Sequence, residues 1–411
     1  MTTLVLDPSQ QRAVDLVCSA RVGIVTGGPG TGKSTCLRVA LDRLDARGTS
    51  YALASPTGKA AKRLSEATHG RKATTIHRLL EWGRLGFGRD SGNPLAESVV
   101  IVDEASMIDT PLFAALMSAI HPLRTRLVLV GDANQLPPVG PGQPFRDLVA
   151  WAQLPMVKLE VLHRSALDSW IHVAAQDLLR GRMPDLARRD DFCFVEVNGA
   201  EWILPKVRRL MTEVFGTTAD HAIQADAQLL IPQRPGLAGI DAANIMLQAA
   251  LNPRLEADRV VKRGEGDNAW ELRTGDRVIQ TRNDYKLEVF NGEMGRIRAV
   301  EPAHVVVDFG DRVVQYDYDA LGALQLSYAL TIHRTQGSEF PWTVVVCHST
   351  HSFILSRQLV YTAITRAKRG VVLVGDRKGL ERAVKNRRAE TRNTTLIDRL
   401  EATLEPVEPP P

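Results

Sequence analysis

The chain has 411 residues, a net charge of +4, 44% hydrophobic and 24% charged residues. That is an ordinary composition for a globular protein with room for two or three cores, and no apolar run approaches the ~20 residues that cross a bilayer. Four scattered cysteines (Cys18, Cys36, Cys193, Cys347) show neither a disulfide framework nor zinc-type spacing, and "MTTLVLDPSQ" has no secretory pattern, so a reducing, cytoplasmic setting is expected.

In chain order, the apolar run "VGIVTG" leads into "GGPGTGKS" (27–34) and then a helical pattern. Gly27, Gly32, Lys33 and Ser34 stand at phosphate-loop spacing in the strand–loop–helix context that the motif demands. Residues Gly28, Pro29, Gly30, Thr31 and Gly32 are expected to wrap the phosphates of ATP at the positive end of a helix. Lys33 is expected to neutralise β- and γ-oxygens, and Ser34, followed by Thr35, to ligand Mg²⁺. "YALASP" reads as the next strand. Residues 81–98 are Gly-rich and read as a projecting loop or hairpin, whose Trp82 and Phe87 either stand exposed or pack beneath it. "VVIVDEA" then places Asp103 at the C-terminal end of a buried strand, as Mg²⁺ partner, with Glu104 as the base that orients the attacking water.

Further strands follow in "RLVLVGD", "AQLLIP", "TVVVCH" and "GVVLVGD". Continuous apolar strands alternating with helices indicate an α/β protein with two parallel sheets, joined near residues 154–165. Residues 272–319 depart from this rhythm: short alternating strands broken by Asn-Gly and Gly-Asp turns read as a small β-barrel inserted in the second domain. Between Arg357 and Arg399 stand twelve Lys or Arg and four acids, a charge run that by itself reads as a solvated helix face and, with support from elsewhere in the chain, as a surface for a polyanionic partner. The tail "EPVEPPP" is expected to be disordered.

"DEAS" and "LVLVGDANQLPPVGPG" (127–142) resemble motifs II and III of superfamily 1 helicases, and "LDPSQQRAV" resembles their N-terminal glutamine motif. "LASPTGKAAKRL" (53–64) and "TTIHRLL" (74–80) resemble segments that grip single-stranded DNA. "LHRSALDSWI" (162–171), "LTIHRTQGSEF" (330–340) and "LVYTAITRAKRGVVLVG" (359–375) resemble motifs IV, V and VI. The order and wording, together with "IPQRPGLAGIDAANIMLQAALNP" and "GDRVIQTRNDYKLEVFNGEMG", resemble the RecD-like helicases over residues 4–376. Arg334 and Thr335 stand where that family often has lysine and serine.

The resemblance implies two RecA-like motor domains, with an SH3-like barrel inserted in the second and a hairpin pin in the first. The expected boundaries are 1–155 for the first motor domain, 156–256 and 326–398 for the second, 257–325 for the barrel, and 399–411 for a disordered tail. It implies Gln10 as adenine reader, Gln135 as γ-phosphate sensor, Arg164 and Arg366 as arginine fingers, and Gly337 and Glu339 at the nucleotide. Thr57, Lys59, His77, Thr331, His333 and Gln336 are the implied DNA contacts. The implied activity is ATP- and Mg²⁺-dependent unwinding of duplex DNA by a monomeric motor moving 5′→3′ on single-stranded DNA, without membrane attachment and with recombination or replication proteins as partners. The chain starts almost at the glutamine motif, so it is expected to lack the long N-terminal region many such proteins carry. The alternatives are an ATP-gated nucleic-acid-binding subunit of a recombination complex and an RNA-directed helicase of the same superfamily branch, 1B.

Overall fold

The structure, a computed structural model, describes residues 6–161, 169–215, 227–256, 259–264, 270–284, 286–387 and 392–403. The chain divides into two units, Met1–Asp168 with Arg388–Pro411, and Ser169–Arg387.

The first unit is built on a six-stranded parallel sheet of order β3-β2-β4-β5-β1-β6. Its strands are β1 (Val22–Gly27), β2 (Tyr51–Ser55), β3 (Ala73–Thr75), β4 (Val99–Val102), β5 (Arg126–Gly131) and β6 (Met156–Leu159). Its helices are α1 (Pro8–Ser19), α2 (Lys33–Ala46), α3 (Gly58–Ala67), α4 (Ile76–Leu79), α5 (Thr110–Ala119) and α6 (Pro144–Trp151). Successive strand side chains point to opposite faces, and both faces are covered. Val25, Ile101 and Val128 pack with Val14, Leu37 and Leu41 of α1 and α2. Ile24, Val100, Val102 and Leu129 pack on the other side with Leu116, Phe145 and Leu148 of α5 and α6. This two-sided burial is why the central strands read as unbroken apolar runs.

The second unit carries a five-stranded parallel sheet of order β16-β8-β17-β18-β7. It comprises α7 (Trp170–Leu179), β7 (Phe192–Glu196), α8 (Ile203–Arg209), β8 (Ala227–Ile231), α9 (Ile240–Leu251), β16 (Ala329–Thr331), β17 (Phe340–Cys347), α10 (Arg357–Ile364), β18 (Ala367–Gly375) and α11 (Arg377–Lys385). Between α9 and β16 the chain makes the antiparallel pair β9 (Val260–Arg263) and β10 (Trp270–Arg273). It then makes an antiparallel sheet of order β14-β13-β12-β11-β15 from β11 (Arg277–Gln280), β12 (Met294–Val300), β13 (His304–Asp308), β14 (Val313–Asp317) and β15 (Leu324–Leu326). This is the SH3-like module. A buried carboxylate ties it to α9: Asp276 accepts hydrogen bonds from Gln248 Nε2 at 2.6 Å, Asn252 Nδ2 at 2.8 Å, Arg273 N at 2.8 Å and the Tyr328 hydroxyl at 2.9 Å. Burial raises the Asp276 carboxyl above its ordinary range in spite of those four donors.

Three boundaries differ from those expected. The strand Met156–Leu159 pairs with β1 of the first sheet, so the units part at Asp168 and Ser169 and not at residue 155. The chain after Arg387 belongs to the first unit, where helix α12 (Leu396–Thr403) rests Leu396 and Leu400 on the Phe145 side of the core. Residues 399–403, expected in a disordered tail, are helical, held to that core through Leu400. Residues 404–411 lie outside the described residues.

Candidate nucleotide and nucleic-acid site

The phosphate loop is preset by backbone conformation. Gly30 and Gly32 have φ of +76° and +87°, a region closed to most side chains, and Gly32 opens α2. At Gly27 the constraint is space: a Cβ would lie 2.7 Å from Thr31 Oγ1 and 2.9 Å from the Leu159 carbonyl. Lys33 Nζ reaches back to the carbonyls of Gly27 at 2.7 Å and Gly28 at 3.0 Å, and Thr31 Oγ1 donates to Gly28 O at 2.8 Å. Ser34, Thr35, Pro29 and Gly30 lie along the accessible side of the loop and of the first turn of α2.

Gln10 braces the loop from behind. It is 1% exposed; its Nε2 donates to the Thr31 carbonyl at 3.3 Å and its Oε1 accepts from Asp7 N at 3.2 Å. Asp7 caps α1 in return through Ser9 N and Gln10 N. Both ends of the Gln10 amide thus engage the protein, an arrangement that holds the loop whatever else Gln10 reads.

Asp103 leaves β4 with its N–H on the Ala54 carbonyl at 2.9 Å. Burial first, and the neighbouring Glu104 charge second, push its carboxyl up to about 6, while Lys33 and Arg63 pull the other way. Lys33 is therefore electrostatically coupled to Asp103. Glu104 sits in the left-handed region at φ +55°, ψ +37°. A non-glycine residue holds that conformation only where its surroundings dictate it, and such strain concentrates at working sites. Past β5, Gln135 is buried; its Nε2 lies 3.5 Å from Asp132 Oδ2 and its Oε1 has no hydrogen-bond partner.

At the same sheet edge the buried hydroxyls Ser55 Oγ and Ser106 Oγ also lack hydrogen-bond partners. Ser55 ends β2, Ser106 lies just past β4 and Gln135 just past β5, three neighbouring strands of one sheet. Unsatisfied buried polar groups are rare and call for a reason. The C-terminal edge of a parallel sheet, beside a phosphate loop, supplies one: it is where such sheets place polar ligands. The hydroxyl and carboxylate oxygens at this edge have the chemistry that a magnesium–nucleotide complex takes.

In the second unit, Arg366 lies between α10 and β18 and is 2% exposed. Its Nε donates to Thr362 O and its Nη1 to Ser338 O, each at 3.2 Å. Gly337, at φ +70°, turns the chain just before Ser338, and Glu339 pairs with Lys368 at 3.2 Å. Arg366, Gly337 and Glu339 thus form one local group. Arg164 falls within 162–168, outside the described residues.

Three family models match in succession: an AAA domain over residues 5–198, an ATP-dependent RecD-like DNA helicase SH3 domain over 244–309, and a UvrD-like helicase C-terminal domain over 326–374. The RecBCD enzyme subunit RecD of Mycobacterium tuberculosis is 31% identical over 434 residues, covering 96% of this chain and 73% of that protein. The chain belongs to the RecD-like helicase family. The ATP-dependent RecD2 DNA helicase of Deinococcus radiodurans is 40% identical over 398 residues; the match takes in 97% of this chain but 53% of the relative, so the chain spans about half that protein's length. Among solved structures, the Pif1 helicase from Bacteroides in complex with ADP-AlF3 and single-stranded DNA shares the fold, with a TM-score of 0.58 at 18% identity and 97% coverage of each chain.

In this RecD-like chain the remaining expected residues fall into two matching corners. Thr75 caps α4 by accepting from Arg78 N at 3.1 Å, and Thr331 caps the next turn by accepting from Arg334 N at 3.3 Å. Each threonine closes an edge strand, β3 or β16, and begins the tetrapeptide Thr-Ile-His-Arg that supplies His77 or His333. The identical four residues at 75–78 and 331–334 are a repeat that self-comparison of the sequence finds, and they add Thr75 to the candidates. Thr57 caps α3 through Ala60 N at 3.2 Å, with Lys59 in its first turn. Gln336 is buried next to the second corner.

The projecting segment turns between Gly83 and Gly86, with fully exposed Leu85 at its tip. Phe87 turns inward onto the core side, with the Trp82 ring tilted against it at 4.5 Å and His77 at 5.9 Å, as in an exposed loop with aromatics beneath it. Trp82 remains 57% exposed, so one ring of the segment still faces solvent.

Sequence reading also missed a cavity of about 750 Å³ within the second unit, lined by Arg234, Trp270, Gln325, Thr331 and Arg334 among others. Arg334 Nη1 and Arg234 Nη1 approach the same Gln325 Oε1, at 2.8 and 3.4 Å, while Arg234 Nη2 pairs with Asp241 at 2.9 Å. Burial, then repulsion from Arg234, holds the Arg334 guanidinium below its ordinary pKa. Two cations and one carboxylate, Asp241, face the cavity, which leaves a net positive lining suited to a phosphate backbone. The two arginines lie 100 residues apart in the sequence, so no local motif announces them.

Proposed function

We infer that this chain is an ATP- and Mg²⁺-dependent DNA helicase of superfamily 1B that moves 5′→3′ along single-stranded DNA. The observation that carries this reading is the convergence of Lys33, Asp103, Glu104 and Gln135 on one sheet edge, in a chain of the RecD-like family. ATP and Mg²⁺, when bound, supply the phosphoanhydride and the charge neutralisation that hydrolysis needs. Lys33 exchanges its two carbonyl partners for phosphate oxygens, and Ser34 and Asp103 hold the metal's protein-side positions. Glu104, set by its left-handed backbone, orients and deprotonates the attacking water. The Gln135 amide senses the terminal phosphate through its Nε2 donor, while its buried Oε1 can accept from the attacking water. Arg366 acts as an arginine finger, and Arg164 is assigned the same role from its motif.

On the nucleic-acid side, Thr75 and His77 in one unit and Thr331 and His333 in the other act as paired grips on the strand. Thr57, Lys59 and Gln336 add backbone contacts that carry no sequence information. Arg234 and Arg334 neutralise phosphates. Removing Arg334 (Arg334→Ala) is expected to weaken binding of all single-stranded sequences alike and to make the slope of log affinity against log salt shallower by about 0.7. Fluorescence anisotropy with labelled oligothymidine between low and moderate salt reads this directly, and an unchanged slope removes Arg334 from the contact set.

The deciding experiment is strand displacement with ATP and Mg²⁺ on duplexes bearing matched 5′ or 3′ single-stranded tails. Unwinding from the 5′-tailed duplex alone is expected. Unwinding from the 3′ tail alone overturns the polarity. No unwinding from either, with ATPase activity intact, favours a subunit that works inside a recombination complex, the reading suggested by the relatives named RecD subunit. Stronger ATPase stimulation by RNA than by DNA favours the RNA-directed alternative. Among the described residues no helix is long and apolar enough to cross a membrane.

A further inference from the structure

The loop that follows Gln135 is held from two sides within the first unit. On one side lies the start of α5. The Thr110 N–H donates to the Pro141 carbonyl at 2.9 Å. Gly140 and Gly142 pack so closely on Asp109 and Thr110 that neither position has room for a Cβ. On the other side lies a single arginine from the far end of the chain. Arg392 Nη1 donates to the carbonyls of Gly140 at 2.6 Å and Gly142 at 2.9 Å, and its Nη2 to that of Pro138 at 2.7 Å.

Three main-chain carbonyls within five residues thus converge on one guanidinium. A planar fork with fixed N–H directions can span such a set, whereas an ammonium offers a single point of charge. Arg392 therefore dictates the curvature of residues 138–142, which begin three residues after Gln135. The segment around it is anchored independently. Thr394 Oγ1 donates to Asp147 Oδ2 at 2.6 Å, and Leu396 and Leu400 of α12 pack on the core. Loss of the guanidinium alone leaves those anchors in place.

We propose that Arg392 is a positioning residue that sets the loop carrying Gln135, and so controls how strongly bound single-stranded DNA accelerates ATP hydrolysis. The proposal rests on the ATP-driven DNA motor inferred above. Its logic is mechanical. A sensor on a slack loop reports the state of the phosphate less faithfully than one on a loop clamped at both faces, because the change at the sensor is lost in loop motion.

The test uses the full chain, with steady-state ATPase rates measured with and without saturating oligothymidine. The readout is the ratio of stimulated to basal rate, for wild type, Arg392→Ala and Arg392→Lys. The ratio is expected to fall at least fivefold in Arg392→Ala, with Arg392→Lys between the two. Thermal melts identify any loss of folded protein, which lowers both rates together and leaves the ratio unchanged. An unchanged ratio in Arg392→Ala overturns the proposal and leaves Arg392 as an anchor of the C-terminal segment. Full recovery by lysine overturns the carbonyl-fork argument, because charge alone then suffices. A wild-type rate that does not respond to DNA refutes the motor reading itself, a result distinguishable from either outcome.

Discussion

Replacing Lys33 by alanine is expected to lower ATP turnover by about 10²–10³-fold, the range seen when one preorganised charge or donor is removed from a transition state. The ammonium stands across the phosphate loop on the Gly27 and Gly28 carbonyls and counters the carboxylate of Asp103. Its loss removes the cation that offsets charge on the transferring phosphoryl group and one of the two cations, with Arg63, that favour the Asp103 carboxylate. Little structure depends on it, because the loop is shaped by Gly30, Gly32 and the tight approach at Gly27. The melting temperature should therefore stay within a few degrees of wild type, and single-stranded DNA affinity without nucleotide should be unchanged. Retention of a tenth or more of the ATPase rate in a pure preparation would remove Lys33 from the chemistry. The same variant should fail to unwind the 5′-tailed duplex.

The second large effect belongs to Glu104. Glu104→Gln keeps the size and the left-handed backbone of the residue but removes its basicity, so a loss of about 10²–10⁴-fold in the hydrolytic step is expected. Nucleotide affinity, read with a fluorescent ATP analogue, should be kept or increased, because a negative charge next to the phosphates has gone. That split separates the two carboxylates: Asp103→Asn is expected to weaken metal-dependent nucleotide binding as well as turnover. Equal losses of affinity in both variants would contradict a division of labour between metal ligand and base. The left-handed backbone of Glu104, at φ +55°, costs about 1 kcal/mol and is shared by His69, Glu81, Ala152 and Glu288; what sets Glu104 apart is its place directly after Asp103 at the end of β4.

The nucleotide half of the site was legible in the sequence because its parts are local. A strand, a glycine loop and a helix follow one another within fourteen residues, and Asp103 and Glu104 directly follow four apolar residues of β4. The same locality made the seven central strands of the two parallel sheets readable as continuous apolar runs. In those sheets β3, β6, β7 and β16 were not read: all four are edge strands, covered less completely than the central ones, so no unbroken apolar run marks them. Two of them carry the threonine corners, so the nucleic-acid side was more obscure than the nucleotide side.

By itself, then, the sequence determined what depends on neighbours along the chain: the phosphate loop, the carboxylate pair, the two-sheet α/β plan and the turn-rich insert. Tertiary structure alone decided which side chains meet without a local pattern to announce it, at any separation along the chain. Arg234 and Arg334 meet at one oxygen of Gln325; Trp82, Phe87 and His77 collapse on one another under Leu85; and Arg392 closes on carbonyls 250 to 254 residues earlier. The physical reason is that a helix of eight residues such as Leu396–Thr403 shows only that it has an apolar side. Which surface covers that side is set by the burial free energy of the finished core, and the core beside Phe145 and Leu148 does not exist until the first sheet is assembled.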